Sequence, residues 1–479
     1  MPVRSRLLVL AMDIGSSSVR TAFFTDAGTR LLPSTSTVNY ALRYTDDGGA
    51  ELDAEALLRA ARSCVFKSLL CRRRSPDFRD APIIAVSGSA FWHSLLALGR
   101  AGKPISPIFT WADSRGVADA VRLRGELSEA KIHARTGCMI RAPFWPAKLR
   151  WLRRTRPRFK RAKRWVSPGA WIFRALFGVD ATSHSMASGT GLYNLRTASW
   201  DHELCGLCDV RPDQLGPLSD HAEAFEPAHV ELTGVPVFSA MGDGAASNLG
   251  SGADLAGRIA ITVGTSAAAR LVASNKSQRI PFGLFKYAVD EDRVVIGGAT
   301  SNGGNLRQWI RRELKIPIGR ETEVLSRTSA ADDALTILPF WVSERAPTWP
   351  ENLRGSIIGL TAASTAADIL RAATTSTFYR LAEILARLDV SARTEIIVSG
   401  GILHSLPSLK ILADSIAHDI RIYGEPEASL RGAAVLALEK LGIQPPRLRP
   451  GKLVRHNAAL ARKHQARRKL QSELERRLS

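Results

Sequence analysis

The chain has 479 residues, 45% of them apolar and 23% charged, which exceeds what one hydrophobic core organises and fits two domains of ordinary size. No apolar run approaches the roughly 20 residues of a membrane helix. Five scattered cysteines exclude a disulfide framework, and a net charge of +21 raises the question of an anionic partner.

In chain order, Arg4-Ser5-Arg6 followed by Leu7–Met12 superficially looks like a leader. The apolar part is short and runs directly into Asp13-Ile14-Gly15 without a small-residue cleavage site, so a buried strand ending in a functional turn is expected, in a cytoplasmic protein. Residues Leu7 to Phe24 read strand–turn–strand around Asp13-Ile14-Gly15-Ser16-Ser17-Ser18. Such a hairpin tip lets backbone N–H groups and hydroxyls converge on phosphate oxygens. Asp13 at the strand end suits Mg²⁺ held through water, although a polar hairpin tip alone is an ordinary feature. A helix is expected around Asp53 to Leu70, then a strand Ile83 to Ser87 with Gly88 at its end.

Residues 146 to 178 read as mainly helical. From Arg141 to Arg174 there are twelve Lys/Arg and no acid, and Trp145, Leu149, Trp151, Leu152, Phe159 and Trp165 interleave with them, as on a helix with one solvated face. Cys205 and Cys208 form a lone C-x-x-C, for which packing thiols are a better account than a zinc site.

Met241-Gly242-Asp243-Gly244-Ala245-Ala246 places an acid between glycines ahead of a helix, where an exposed, uncovered carboxylate is expected. Transfer of a phosphoryl group to a hydroxyl needs such a base. The plainer alternative is that Asp243 caps a helix beginning near Ala245. A second hairpin of the first kind follows, Arg258–Val263, Gly264-Thr265-Ser266, Ala267–Val272. Farther on come a strand Glu395–Val398 ending in Ser399-Gly400-Gly401, and helices around Leu409–Ala417 and Leu430–Leu441. The bare turn suits a flat adenine or ribose lying on the backbone. Two strand–turn–strand units, each opening one half, imply two similarly built α/β domains. Beyond Pro445-Pro446 the chain reads as a basic helix or a disordered arm, with eleven Lys/Arg against Glu473 and Glu475 from Arg447 to Arg477.

These elements resemble the FGGY carbohydrate kinase family, and more narrowly its gluconate kinase branch, over about Leu8 to Leu441. The resemblance also rests on Ser87-Gly88 through Phe91-Trp92-His93-Ser94, Phe109 to Arg115, Phe144-Trp145-Pro146-Ala147-Lys148-Leu149, Ser185 to Gly191, and Gly297-Gly298 through Asn305. It implies an α/β fold of two actin-like (ribonuclease H-like) ATPase domains with an interdomain cleft. The expected division is 1–245 for the sugar-binding domain, 246–444 for the nucleotide-binding domain and 445–479 for the basic tail. ATP and Mg²⁺ are the implied cofactors. Asp13 would serve metal and phosphates; Gly15, Ser16, Ser17 and Arg20 would form the first phosphate hairpin, and Gly264 with Thr265 the second. Gly304, Gly401 and Ser405 would border the nucleotide, while Trp92, His93, Trp111 and Asp243 would contact the sugar, with Asp243 as base.

The implied reaction is phosphorylation of the terminal hydroxyl of a sugar or sugar acid, gluconate to 6-phosphogluconate first. Xylulose, ribulose and glycerol are alternatives, as is a non-catalytic sugar and nucleotide sensor. A carboxylate substrate calls for a cation or several donors, and His93, Arg270 and Arg345 are the candidates. Nucleic acid is not an expected partner: little chain precedes Asp13 for a helix-turn-helix, and the tail lacks interleaved aromatics. No membrane contact is expected, and a homodimer is left open. Three departures from the family pattern stand out: Ser16 for a threonine, Ser343 for a glycine before Glu344-Arg345, and Thr374-Thr375-Ser376 in place of an acid and a small residue.

Overall fold

A computed structural model describes residues 7–222, 229–275, 279–327, 334–342, 344–351, 353–423, 425, 427–448 and 451–478. Two seven-stranded sheets organise it. The first is built on the expected hairpin: β1 (Leu8–Ile14) is buried along its whole length and pairs antiparallel with β2 (Ser18–Thr25), followed by β3 (Ser36–Asn39). Helix α1 (Ala54–Arg74) is started by Asp53, whose carboxylate accepts the Ala56 N–H at 2.7 Å, and packs Leu57, Ala61, Cys64 and Val65 beneath the sheet. Strand β4 (Ile83–Ala90) runs parallel to β1 and continues past Gly88, instead of stopping there. Gly88 is needed inside the strand because a Cβ would stand 2.6 Å from the Phe173 ring.

The expected helical run 146–178 is broken. Helix α2 (Trp145–Thr155) and helix α3 (Pro168–Phe177) flank a short strand, Arg164–Val166, that pairs with Leu96–Leu98. Trp145, Trp151, Phe159 and Trp165 are all buried, so the basic residues, Lys148 excepted, line the outer side of a packed layer. The first sheet closes with β5 (His221–Ala222), β6 (Val237–Phe238) and β7 (Met241–Gly242), the last leading into α4 (Asp243–Gly250).

The second sheet repeats the plan. Strand β8 (Arg258–Val263) pairs antiparallel with β9 (Ala267–Ser274), and β10 (Phe285–Ala288) and β11 (Arg293–Thr300) extend that side. Helix α5 (Gly304–Glu313), strand β12 (Thr336–Leu338) and helix α6 (Ala366–Arg387) follow. On the other side β8 is flanked by β13 (Glu395–Ser399), helix α7 (Leu406–Ile416) covering it, and β14 (Ile420–Ile422). Helix α8 (Ala428–Lys440) comes after these strands in sequence but packs Leu430, Ala433, Ala434 and Ala437 on Val9, Ala11 and Phe24 of the first sheet. It crosses α4 at backbone distance: a Cβ at Gly250 would lie 1.8 Å from Ala428 O, and one at Gly432 1.8 Å from Ala246 O.

The tail is no loose arm. β15 (Leu453–Val454) adds to the edge of the second sheet, and α9 (Ala458–Leu478) lies along α6 and β12. No helix among the described residues is long and apolar enough to cross a membrane. Cys205 and Cys208 are buried free thiols.

Candidate active site

The two hairpin tips meet in one cavity of about 880 Å³, whose walls include Ser16 and Ser17 from the first tip and Gly264, Thr265 and Ser266 from the second. A smaller cavity of about 170 Å³ adjoins it through shared Ser16, Trp111, Ser266 and Arg345, and adds Trp92, His93, Asp243 and Arg270. Hydroxyls and open backbone thus face one space from both lobes.

At the first tip, Gly15 N–H bonds Ser18 O at 2.9 Å, and the Tyr40 hydroxyl donates to Gly15 O. Asp13 is 3% exposed, with both carboxylate oxygens engaged: Ser89 Oγ donates to Oδ1 at 2.6 Å and Arg20 Nη2 lies 3.0 Å from Oδ2. Arg20 also reaches Glu427 Oε2 at 2.5 Å, so its cation is bound by two carboxylates. Ser89 and Glu427 carry no sequence signal for these roles; only strand register and the return of the chain before α8 bring them in.

At the second tip, Gly264 N–H bonds Ser266 O at 2.9 Å and Gly264 O accepts from Gly304 N–H at 2.8 Å. Gly304 tolerates no side chain, since a Cβ would sit 2.6 Å from Gly264 O. Gly400 has a positive φ of +91°, and a Cβ there would stand 2.6 Å from Val263 O, which sets the bare turn against the end of β8. Ser405 caps α7, accepting from Ser408 N–H. The walls of both cavities stop short of Gly304, Gly401 and Ser405, which lie on the second lobe alone.

Asp243 differs from its expected setting. It is half-buried in the smaller cavity as the first residue of α4, with Gly242 in the cap position. Its flanking glycines do not expose it; they make room for Trp92, whose indole would lie 1.8 Å from a Cβ at Gly242 and 2.6 Å from one at Gly244. Trp92 itself is fixed by Nε1–H donation to Ser185 O at 3.0 Å and by the edge of Tyr287. Asp243 Oδ1 accepts Gly244 N–H at 2.8 Å, and no hydrogen bond from the described residues reaches Oδ2. Burial raises its carboxyl to about 6, the charge of Asp13 adding to the rise and Arg270 opposing it.

His93 has a left-handed backbone, φ 64°, and its Nδ1 lies 2.6 Å from Gly189 O. A carbonyl only accepts, so Nδ1 carries the hydrogen and Nε2 is an acceptor. Burial lowers its pKa to about 3, with Arg345 and Lys148 pushing the same way. It is therefore neutral and cannot serve as the cation for a carboxylate, as had been expected among the candidates.

The cations are Arg270 and Arg345. Arg270 bonds Asn248 Oδ1 at 3.3 Å and Thr262 Oγ1 at 3.1 Å, neutral oxygens rather than an acid. Arg345 bonds Ser301 Oγ and Thr300 O and lies 4.9 Å over the Trp111 ring. Neither Nη1 has a hydrogen-bond partner among the described residues. Ser343 lies outside the described residues. Thr374, Thr375 and Ser376 are buried and return their hydroxyls to carbonyls of their own helix.

Lys148 stands within a motif, but its role was not read from it. The side chain is fully buried, and Nζ donates to His93 O at 2.9 Å, Thr110 O at 2.7 Å and Pro143 O at 2.8 Å. One ammonium thus ties together the carbonyls of three segments, two of which, at His93 and beside Trp111, border the smaller cavity. Burial lowers its pKa to about 7.

With this geometry in hand, the chain was compared with known proteins. The models for the N-terminal and C-terminal domains of the FGGY family of carbohydrate kinases match residues 8–250 and 259–440. A gluconokinase of Bacillus subtilis (strain 168) is 29% identical over 457 residues, covering 91% of this chain and 88% of that one. A glycerol kinase of Rhodospirillum centenum is 27% identical, covering 91% and 90%. Among solved structures, a gluconate kinase from Lactobacillus acidophilus aligns at a TM-score of 0.89 with 24% identity, over 99% of this chain and 98% of that one. A ligand-bound xylulose kinase from the same organism gives the same score and identity over 98% of each chain. At that identity the likeness is one of fold, and it extends through the basic tail.

Proposed function

The chain belongs to the FGGY family of carbohydrate kinases, phosphotransferases with an alcohol group as acceptor, and from that premise we propose that it transfers the γ-phosphoryl of ATP to the terminal hydroxyl of gluconate. The observation that carries the choice of acceptor is the pairing, in one small cavity, of a carboxylate base with two guanidinium groups whose Nη1 atoms have no hydrogen-bond partner among the described residues. A polyol that bears a carboxylate offers an anion to those two cations and a hydroxyl to the base. The curated relatives named gluconokinase support the same reading.

Asp243 is the proposed base. Its Oδ1 is anchored by Gly244 N–H, which leaves Oδ2 to orient the acceptor hydroxyl and take its proton during in-line attack. A carboxyl raised to about 6 is ionised at neutral pH yet more basic than an exposed aspartate. His93 Nε2 accepts a hydrogen bond from a substrate hydroxyl, and Trp92 and Trp111 give the sugar an apolar wall. Ser16, Ser17, Gly264 and Thr265 offer hydroxyl and backbone donors to the phosphates from both sides. Gly15 and Arg20 brace the first tip; Gly304, Gly401 and Ser405 take the nucleoside side.

Asp13 fits Mg²⁺ by chemistry: a strand-end carboxylate, oriented by Ser89, close enough to Asp243 for the two charges to repel. Arg20 occupies Oδ2, so contact through water or displacement of Arg20 is implied. When bound, the ion neutralises phosphate charge. The test is a coupled ADP-release assay over gluconate, xylulose, ribulose and glycerol. We expect kcat/KM for gluconate to exceed the others at least about tenfold, and Arg345→Met to erase most of that preference. Equal or better turnover of a neutral acceptor would select the second reading, a polyol or ketose kinase, which the glycerol kinases at 27% identity favour.

A further inference from the structure

The last helix, α9, has no apolar stripe to account for its docking. Its buried positions are Ala461, His464, Gln471 and Glu475, a largely polar seam at helical spacing. The seam is satisfied residue by residue: His464 with the Tyr379 hydroxyl at 2.9 Å, Gln471 Nε2 with Ser376 O at 3.3 Å, and Arg467 with Leu335 O at 2.5 Å. At its end Glu475, 5% exposed, pairs through Oε2 with Arg380 Nη1 at 2.7 Å, and Oε1 accepts from the Thr348 hydroxyl.

Arg380 is 2% exposed and holds the segment that follows Arg345, a residue in the wall of the smaller cavity. Its Nη2 donates to Ala346 O at 3.1 Å and Thr348 Oγ1 at 2.9 Å. Between these two anchors and Trp111 lies Arg345, whose own N–H is held by buried Glu344 at 2.8 Å. Glu344 already feels the Arg380 charge, which draws its pKa down against the rise that burial causes. Glu475 is thus the carboxylate in contact with Arg380, and Glu344 the next acid within its field. Removing Glu475 leaves a buried guanidinium uncompensated, and such a group turns to the nearest available acid. That acid is the one holding the backbone N–H groups of Ser301 and Arg345.

We propose that Glu475 is a positioning residue for the acceptor pocket, acting through Arg380 on residues 344–349, so that the C-terminal helix is a working part of that site. The inference rests on the reading that the smaller cavity takes the acceptor.

The test uses the full chain with Glu475→Ala, Glu475→Gln and the double variant Glu475→Ala/Arg380→Met. Steady-state KM is measured for ATP and for whichever of gluconate, xylulose, ribulose and glycerol the wild type turns over, alongside hydrogen exchange of the peptide containing 344–349. Glu475→Ala is expected to raise the acceptor KM about tenfold with the ATP KM within about twofold, and to speed exchange in 344–349 without speeding it in β8 and β9. The double variant, having lost both charges, should recover to within about threefold of wild type, which a purely packing role would not produce. Glu475→Gln keeps one acceptor, its amide oxygen, for Arg380 and turns an N–H toward Thr348 Oγ1 in place of the second, and is expected to rise about threefold; it carries the test if the alanine variant does not fold. An unchanged acceptor KM, with only Tm lowered, overturns the proposal. If the wild type phosphorylates none of the four acceptors, it is the function that fails, and unchanged exchange in 344–349 then overturns the positioning role by itself.

Discussion

The two lobes furnish opposite charge to the same small cavity. The first contributes the carboxylate of Asp243, with Asp13 behind it, and the second contributes the guanidinium groups of Arg270 and Arg345. The two hairpin tips differ as well. The first braces its turn with an acid, Asp13, and a doubly paired Arg20, whereas the second works with bare backbone at Gly264 and Gly304. Where carboxylates and guanidinium groups stand on separate lobes, the field in the cavity depends on how the lobes meet, and each side can be altered without dismantling the other.

The largest break in this arrangement is Asp243→Asn. It should lower kcat about a thousandfold with little change in either KM, because proton acceptance matters in the transition state; single-turnover kinetics will separate chemistry from binding. Asp13→Asn removes the acid behind the base and should cost about a hundredfold in kcat, with a raised Mg²⁺ requirement in a metal titration. On the other lobe Gly304→Ala forces a Cβ against Gly264 O, and a rise of about tenfold in the KM for ATP is expected, with the acceptor KM unmoved.

The smallest effects sharpen the comparison most. The kcat/KM profile should fall on the acid side through an apparent pKa of about 6. Arg270→Met removes the charge that lowers the Asp243 pKa and should move that limb up, while Asp13→Asn removes one that raises it and should move the limb down. The sign for stability follows from the same shift. A folded pKa above the unfolded value of 3.8 means that stability falls as pH rises from 3.8 to about 6, and the loss is complete above that. Asp243→Asn should therefore raise Tm at pH 8 and change it little at pH 4, by calorimetry.

The hairpins and their order were legible because strand periodicity and glycine-rich tips are local. The setting of Asp243 was not: its glycines suggest exposure until Trp92, from far upstream, is placed between them. Lys148 was visible only as a letter in a motif, since its three carbonyl partners come from three segments. For the tail, the basic helix was legible and its docking was not. Without an apolar stripe a basic stretch reads equally as an arm, but His464, Gln471 and Glu475 are each matched by a polar partner that sequence cannot pair.

Helix α8 has a consequence for the order in which the chain can become a protein. Val9, Ala11 and Phe24 are synthesised long before residues 428–440, which cover the face they form. During synthesis that apolar face stands open until residues 428–440 have emerged, so the first lobe is the part with most need of a chaperone. A chain truncated anywhere before residue 428 would leave it open permanently, and would be expected to aggregate through its beginning rather than through its cut end.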